Sequence, residues 1–426
     1  MNSTRFLLTL TILLTASLAL SAQSLSTYSP YSRYGIGEVR NQGYANNKAL
    51  GGMSQGLRNG AWVNYLNPAS YTAQDTMSFI FDFGIEGTGV DYKSGDQSNF
   101  NSHGNIQHIA LQFPIAKWMG ASAGIQPYSN VGYRIRHIET NDTLLSAIGP
   151  IKYNHDGSGG ITQAYLGLAV EPIKNLSVGM NMSYFFGSLE HTTDVLFPTE
   201  TAYNDIRRVN SVVVRDIALS FGAQYTQYFG EENDFKLVLG ATLDNETSIG
   251  AQSISVVSYP HLGASDTISY EENPKSSIDF PKNISAGFSL SYKDRFMGGA
   301  EYSTQDWSNA KFLGVSDSLS KSETVRVGVQ YTPNPQDLRS YFKRVSYRLG
   351  AYHSNTYLEL RNKQIEDYGI TFGVGLPFRR SKTSFNLSFE LGRKGTLDNN
   401  LVQETYGIVN IGFTFYDIWF VKRKFN

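Results

Sequence analysis

The stretch of sequence that decides the fold runs from Gly51 to Gly87 and reads GGMSQGLRNGAWVNYLNPASYTAQDTMSFIFDFGIEG. Its first half is rich in glycine and has no regular hydrophobic pattern. From Met77 onwards apolar residues alternate with polar or small ones, with Ile80 as the exception. Side chains two positions apart lie on the same face of a strand. The stretch therefore predicts a strand with one apolar face (Met77, Phe79, Phe81, Phe83 and Ile85) and one polar face that carries Asp82 and Glu86.

The composition of the 426-residue chain favours sheets over helical bundles. Aromatic residues make up 13% of the chain and charged residues 17%, with 40 glycines, 27 tyrosines and no cysteine. The formal net charge is -1, and the one basic run of useful length lies at Lys422 to Lys424. The charge gives no electrostatic basis for a nucleic-acid partner.

The first 22 residues have the pattern of a secretory signal peptide. A short polar start with Arg5 precedes an apolar run from Phe6 to Leu20, and small residues lie before Gln23. An anchoring helix fits less well because the run is short and contains threonines. No other segment approaches the roughly 20 apolar residues of a spanning helix. A mature chain that lives in a membrane would therefore cross it as strands.

Alternation like that after Met77 recurs along the rest of the chain and predicts fourteen strands. They lie near residues 76–87, 105–115, 118–138, 160–172, 176–190, 209–229, 234–248, 279–292, 295–307, 323–332, 345–354, 368–377, 383–393 and 405–416. Residues 23–75, in contrast, have no sustained periodicity, which is long for a connection inside a compact domain. We expect this segment to be a functional insert or a plug.

The connections between these strands alternate in length. Short turns, such as 173–175, follow the even-numbered strands, and long polar segments, such as 249–278, follow the odd-numbered ones; 333–344 is an exception. An even strand number with short turns at one rim and long loops at the other is typical of outer-membrane barrels. A soluble β-sandwich would also alternate, but the polar faces here carry mainly glycine and serine. We therefore expect an all-β, 14-stranded antiparallel transmembrane β-barrel over residues 76–420, with a periplasmic tail at 421–426.

Several motifs, by their type and their order along the chain, resemble those of the FadL-type (FadL/TodX-like) outer-membrane protein family. The 14-stranded barrels of this family carry fatty acids and other hydrophobic molecules. The resemblance covers most of the mature chain and rests on Asn67-Pro68-Ala69, Gly124 to Gly132 with Pro127, Phe280-Pro281 followed by Gly287 and Trp307-Ser308, and Tyr347-Arg348-Leu349-Gly350. It implies that residues 23–75 form a lumenal hatch containing Asn67, Pro68 and Ala69. The residues at 29–35 and 419–424 look like the Bacteroidetes version of the family, which also includes barrel subunits of secretion machines.

Pro127 interrupts the third predicted strand, and proline removes a ladder hydrogen bond. In a closed barrel such a break opens a gap in the wall. By resemblance this is where a hydrophobic molecule would leave sideways into the membrane, with Tyr128 and Tyr133 nearby. The alternative is a bulge near the rim without traffic.

The inward-facing positions collect charges that need partners. They comprise Asp82, Glu86, Glu171, Glu301, Glu390, Lys236, Arg326 and Arg348. One interpretation is a structural network that holds the plug. The other is a head-group site that includes Arg348, Arg326 and Glu301, since a guanidinium suits a carboxylate.

Aromatic residues near strand ends are typical of the interfacial girdle, with carbohydrate binding as the alternative. They are Trp118, Trp307, Tyr331, Tyr416 and Trp419. The seven histidines lack metal-ligand spacing, and no catalytic motif occurs. We expect no enzyme activity, no catalytic residue, no metal and no cofactor.

The sequence thus leaves two functions open for a protein of the Gram-negative outer membrane. The first is a monomeric channel for passive uptake of hydrophobic or amphipathic small molecules, with hatch gating and lateral exit. The second is an accessory or structural barrel subunit of a larger outer-membrane assembly, such as a secretion or assembly machine. Outer-membrane lipid is a partner in both. An apolar tunnel to the gap would favour the first, and a filled lumen the second.

Overall fold

The computed structural model describes residues 25–418 except 41–42, 199–202, 262–263, 317 and 380. The predicted signal peptide, the predicted tail at 421–426 and Trp419 lie outside the described residues. In the described part of the chain, no helix has both the length and the apolar character needed to cross a membrane.

Strands dominate the described residues, and the helices are short. The helices are α1 (Ala45–Lys48), α2 (Asp142–Ile148) and the 3-10 helices Pro30–Arg33, Pro68–Ala73 and Asp398–Asn400. The strands are β1 (Glu38–Val39), β2 (Ser78–Ser94), β3 (Gln97–Ala116), β4 (Met119–Asn130), β5 (Tyr133–Ile138), β6 (Lys152–Ile173), β7 (Leu176–Leu196), β8 (Ile206–Phe229), β9 (Phe235–Asp244), β10 (Thr247–His261), β11 (Ala264–Phe280), β12 (Asn283–Tyr292), β13 (Phe296–Asp306), β14 (Lys321–Tyr331), β15 (Ser346–Leu360), β16 (Lys363–Pro377), β17 (Ser384–Gly395) and β18 (Gln403–Ile418).

Fourteen of these strands close into an antiparallel barrel, as the sequence predicts. The ring takes β2, β3, β4, β6, β7, β8, β9 and then β12 to β18 in order. It closes where β18 pairs with β2, from Gln403 opposite Lys93 to Ile418 opposite Ser78. We call the end with the turns after β6, β8, β12, β14 and β16 the short-turn rim and the other end the long-loop rim.

The two faces of β2 lie as the alternation predicts. Asp82 and Glu86 point into the barrel and are 2% and 7% exposed. Phe79, Phe81 and Ile85 alternate with them on the outer wall, where Ile85 is 41% exposed in the protein alone. Apolar outward positions of this kind recur around the ring and suit a lipid-facing surface.

The predicted long loops are in large part strands, and this corrects the sequence interpretation. Segment 249–278 forms the hairpin β10–β11, and β10 extends the sheet by pairing with the upper part of β8. β2 and β3 meet at a tight turn around Gly95 rather than a loop over 92–104. Beyond the membrane the outer face of a strand meets water instead of lipid, so the alternation that identifies a spanning strand disappears there.

Two aromatic residues that were expected in the girdle are buried instead. Trp307 is 4% exposed and packs against Phe280 and Tyr357, with ring centroids 6.0 and 5.0 Å away. Tyr416 is 8% exposed, and its hydroxyl donates to Asp75 (2.7 Å). Both occupy inward-facing positions, and proximity to a strand end does not reveal the face. Trp118 and Tyr331 are exposed, at 57% and 52%.

The long connection at the short-turn rim, 332–345, is an ordered loop. The backbone N–H groups of Ser340 and Arg339 donate to the Asp337 carboxylate (2.7 and 2.9 Å) and hold its pKa below the usual range. The loop displays Leu338, which is 95% exposed, and Phe342, which is 74% exposed.

The described residues 25–40 and 43–76, which we call the lumenal segment, run inside the barrel against inward-facing glycines. A Cβ atom on Gly240 would lie 1.8 Å from the Gln55 carbonyl oxygen, and one on Gly350 would lie 2.1 Å from the Gly51 nitrogen. Small residues at these positions let the backbone of the segment touch the wall. This contact explains why the polar faces of the predicted strands are rich in glycine.

We expect Gly240→Ala to destabilise the folded protein by about 1–3 kcal/mol, because the new methyl group would displace the lumenal segment. The outward-facing Gly407→Ala is the matched control, since its nearest neighbour would be an ordinary 3.5 Å contact with Leu391. Urea unfolding of the two purified variants in detergent measures the difference. Equal midpoints for both variants would show that the segment is not packed against β9.

Candidate functional site

The lumenal segment is held in the barrel by buried ion pairs. Glu86 of β2 accepts from Arg40 and from the Lys48 ammonium (2.5 Å). Two strands away along the ring, Lys394 of β17 donates to Glu38 of β1 (2.8 Å). Buried charges of this kind are costly when unpaired, so these contacts fix the position of the segment.

Glu301 and Arg326, predicted as head-group residues, lie together in a contact with the segment. One Glu301 oxygen accepts from the backbone nitrogens of Ser54 (2.7 Å) and Gln55 (2.8 Å), and the other lies 3.3 Å from the Arg326 guanidinium. The carboxylate thus caps a turn of the lumenal segment and is already neutralised. This arrangement matches the structural network considered for the inward-facing charges.

Asn67, Pro68 and Ala69, the predicted hatch motif, begin the 3-10 helix Pro68–Ala73. The Asn67 side chain accepts from the Ala69 nitrogen (3.2 Å) and donates to the Gln55 carbonyl (3.1 Å). Proline suits the first helical position because its missing N–H would have no partner there. A Cβ atom on Gly222 of β8 would lie 2.4 Å from the Asn67 side-chain oxygen. The motif therefore lies against the barrel wall, and its role as a hatch stays a prediction.

Aromatic rings anchor the middle of the segment. Tyr44 stacks on His108 of β3, with ring centroids 3.5 Å apart. His108 in turn contacts Asp82 through its Nε2 atom (2.7 Å). The Tyr44 hydroxyl lies 3.3 Å from that of Tyr165. This polar aromatic cluster was not found from the sequence, because its members are separated by dozens of residues.

The wall of the barrel is interrupted between β3 and β4 near Pro127. The β3–β4 ladder ends at Ile109 opposite Ile125. Above it, β3 pairs with β2, while β4 and β5 pair with β6. A register shift follows Pro127 in the β4–β6 pairing, so the proline lies in a bulge next to a gap. The predicted single strand 118–138 is thereby two strands, broken at residues 131–132.

Behind the gap lie part of the lumenal segment and several packed aromatic rings. β1 of the lumenal segment pairs with Ser129 and Asn130 of β4. Tyr128 stacks on Phe280 with centroids 5.6 Å apart. Tyr133 is 3% exposed, and its hydroxyl lies 2.8 Å from Nδ1 of His191. The structure thus places Tyr128 and Tyr133 in the packed interior beside the gap.

A large apolar cluster closes the lumen toward the long-loop rim. Its members come from the lumenal segment, from the upper parts of the strands and from the loops. The cluster includes Tyr31, Ile36, Val131, Ile161, Phe185, Leu189, Val214, Ile249, Ile278, Phe280, Trp307, Tyr357, Leu360, Ile365 and Leu401. The cavities below it are small and polar in part, and they include two of about 210 Å³, beside Tyr128 and beside Tyr352, and one of about 100 Å³ beside Lys394.

Arg348, the third predicted head-group residue, does not take part in the contact that Glu301 and Arg326 make with the lumenal segment. It faces a cavity of about 750 Å³ at the short-turn rim, which we call the vestibule. Its partners are the side-chain oxygens of Gln330 (2.8 Å) and Asn386 (3.2 Å). Among the described residues no carboxylate forms an ion pair with Arg348 within 4.0 Å. The predicted trio therefore divides into a paired clamp and a separate guanidinium.

In the described part of the chain no group of three or more His, Cys, Asp or Glu side chains is arranged to hold a metal ion. The functional geometry consists of an occupied lumen, a gap in the wall and a vestibule.

Solved structures with the same fold include two toluene transporters and a FadL homologue. The toluene transporter TbuX of Ralstonia pickettii is 14% identical, covers 88% of this chain and 98% of its own, and has a TM-score of 0.61. The toluene transporter TodX of Pseudomonas putida is 15% identical with coverages of 91% and 100% and a TM-score of 0.58. A Pseudomonas aeruginosa FadL homologue is 13% identical with coverages of 90% and 100% and a TM-score of 0.56.

Fold and site together define a 14-stranded transmembrane barrel of the FadL/TodX type with an occupied lumen. At these identities the likeness concerns the fold alone. The particular family follows from the sequence, since a profile of the BamG family matches residues 5–426. The chain belongs to the BamG family. No curated protein matches it significantly.

We expect Glu86→Gln to destabilise the protein by about 3–5 kcal/mol, because Arg40 and Lys48 would be left buried without a carboxylate. The matched control is Glu366→Gln, whose side chain is 51% exposed and whose contact with His353 is long (3.8 Å). The control should change the free energy of unfolding by less than about 0.5 kcal/mol. Urea unfolding in detergent compares the two, and equal loss would contradict a special role for Glu86.

Proposed function

We propose that this chain is an accessory barrel subunit of a larger protein assembly in the Gram-negative outer membrane. The observation that carries the proposal is the occupied lumen. The lumenal segment fills the middle of the barrel, and the apolar cluster at the long-loop rim closes it from above. A barrel filled in this way offers its outer wall, loops and rims for contact with other proteins.

The energy needed to open the lumen supports the same function. Displacing the lumenal segment would break the pairs of Glu86 with Arg40 and Lys48 and that of Glu38 with Lys394, and would uncap Ser54 and Gln55. Each buried charge left without its partner costs about 3–5 kcal/mol. Several such losses at once exceed the few kcal/mol that separate alternative conformations of a gated protein.

A second candidate function is passive uptake of a hydrophobic or amphipathic small molecule with lateral exit into the membrane. The gap above the Ile109–Ile125 pair favours it, together with the cavity of about 210 Å³ beside Tyr128 and Phe280. In this function the lumenal segment acts as a hatch at Asn67-Pro68-Ala69. Pro127, Tyr128 and Tyr133 mark the exit, and Arg348 receives a head group.

Both candidate functions include export by the signal peptide at 1–22. Both also include the division of the chain into a hatch at 23–75, a barrel at 76–420 and a tail at 421–426. They share the contact with outer-membrane lipid and the absence of enzyme activity. The Bacteroidetes origin of the chain rests on the residues at 29–35 and 419–424.

Gentle detergent extraction followed by mass spectrometry tests the assembly function. We expect reproducible protein partners in stoichiometric amounts and no bound lipid-like ligand. A monomer that retains a hydrophobic small molecule would overturn the assignment and favour uptake.

A disulfide that locks the segment to the wall separates the two functions. The hydroxyls of Thr72 and Ser177 are 2.7 Å apart, and the chain has no cysteine of its own. We expect the oxidised Thr72→Cys/Ser177→Cys variant to keep its protein partners, because the assembly function needs no movement of the hatch motif. The Thr72→Cys single variant is the control. Loss of fatty-acid uptake by cells on oxidation, restored by reduction, would support the channel instead.

A further inference from the structure

The vestibule at the short-turn rim is a blind cavity that opens away from the lumen. Its walls come from the ends of several strands, from the turns after β6 and β16 and from the loop 332–345. Leu57, Arg58, Gly60 and Trp62 of the lumenal segment close it toward the interior. Its volume of about 750 Å³ lies within the range of ligand pockets. A ligand would enter and leave it from the short-turn side.

Arg348 is positioned in this cavity by neutral groups. Its guanidinium donates to the oxygens of Gln330 and Asn386 and lies over the Trp62 ring, 5.7 Å from the centroid. These contacts orient the guanidinium without neutralising it. A guanidinium held in one plane with free N–H groups is suited to bidentate binding of a carboxylate.

The charges around Arg348 are mainly positive. Glu171 and Asp294 are the two acidic lining residues, and Glu171 already pairs with Arg58 (3.4 Å). The five basic lining residues are Arg58, Lys236, Arg344, Arg348 and Lys382, and Lys382 pairs with Asp75.

Two further cations in the vestibule lack a close carboxylate among the described residues, and Asp294 acts on Lys236 only at longer range. The Lys236 ammonium donates to the Arg58 carbonyl (3.0 Å), and the buried Nε atom of Arg344 lacks a hydrogen-bond partner. Within the described ranges neither side chain forms an ion pair within 4.0 Å. The vestibule therefore carries an excess of positive charge spread over several side chains.

We propose that the vestibule binds an acidic peptide segment of a partner on the short-turn side. Cations on different walls suit a chain that carries several carboxylates better than a molecule with one head group. The apolar side chains Trp62, Phe296 and Met297 are interspersed among the cations and offer contacts for the backbone and side chains of such a segment. The inference rests on the proposed assembly function for the source of the peptide, whereas the anion site itself does not.

Calorimetric titration of the purified full-length protein with hexaglutamate and hexaglutamine tests the site. Hexaglutamate should bind and hexaglutamine should not, and added salt should weaken the binding. Arg348→Gln should reduce the affinity about tenfold or more, because a charge-assisted hydrogen bond is lost. Lys174→Gln is the matched control, since Lys174 is an exposed cation at the same rim outside the vestibule; its affinity should be unchanged.

Unaltered hexaglutamate binding by the Arg348→Gln protein, with the mobility of a folded barrel on unheated gels, would overturn the site. Binding of decanoate through Arg348 without binding of hexaglutamate would overturn the peptide in favour of a small amphiphile. Partners that co-purify equally with the Arg348→Gln protein would refute this inference and leave the assembly function standing. Hexaglutamate binding through Arg348 in a protein that has no partners would refute the assembly function alone.

Discussion

A ring of fourteen strands encloses more space than its own inward-facing side chains can fill. The lumenal segment supplies the missing atoms, and nearly every other feature follows from that need. Inward glycines such as Gly240 and Gly350 make room for its backbone. Glu86 and Glu301 compensate the charges and donors that it brings into a region with little water. The barrel and the segment therefore form one packed unit.

From the long-loop rim to the short-turn rim, the interior has three regions that differ in polarity and charge. Toward the long-loop rim the packing is apolar. In the middle it is polar and dominated by ion pairs, and toward the short-turn rim the vestibule is open and positively charged. A protein with this cross-section presents different chemistry to the two sides of a membrane, which suits a component that contacts partners at its rims.

The barrel could be derived from the sequence because a membrane imposes alternation on every spanning strand. That signal located all fourteen wall strands but ended where the strands leave the membrane, so β10 and β11 were interpreted as loop. Pro127 was found through local backbone chemistry, since a proline bulge acts over a few residues, whereas Asn67 was found through the resemblance to the FadL-type family. The pairing of Glu38 with Lys394, in contrast, joins residues 356 positions apart and exists only once the ring has closed. Trp307 was placed at the surface because a strand end does not tell which face a side chain occupies.

The short β3–β4 ladder gives the ring a seam. Every other wall strand is joined to its neighbours along most of its membrane-spanning length, whereas β3 and β4 are joined only from Ile109 and Ile125 toward the short-turn rim. Above that point β3 and β4 do not pair with each other, and β1 pairs with β4 on the inside of the barrel. We expect radial movement of the barrel wall to be largest at this seam, because the ladder between β3 and β4 is the shortest between neighbouring wall strands. At this seam the stability of the wall therefore depends on the lumenal segment as well as on the ladders between the strands.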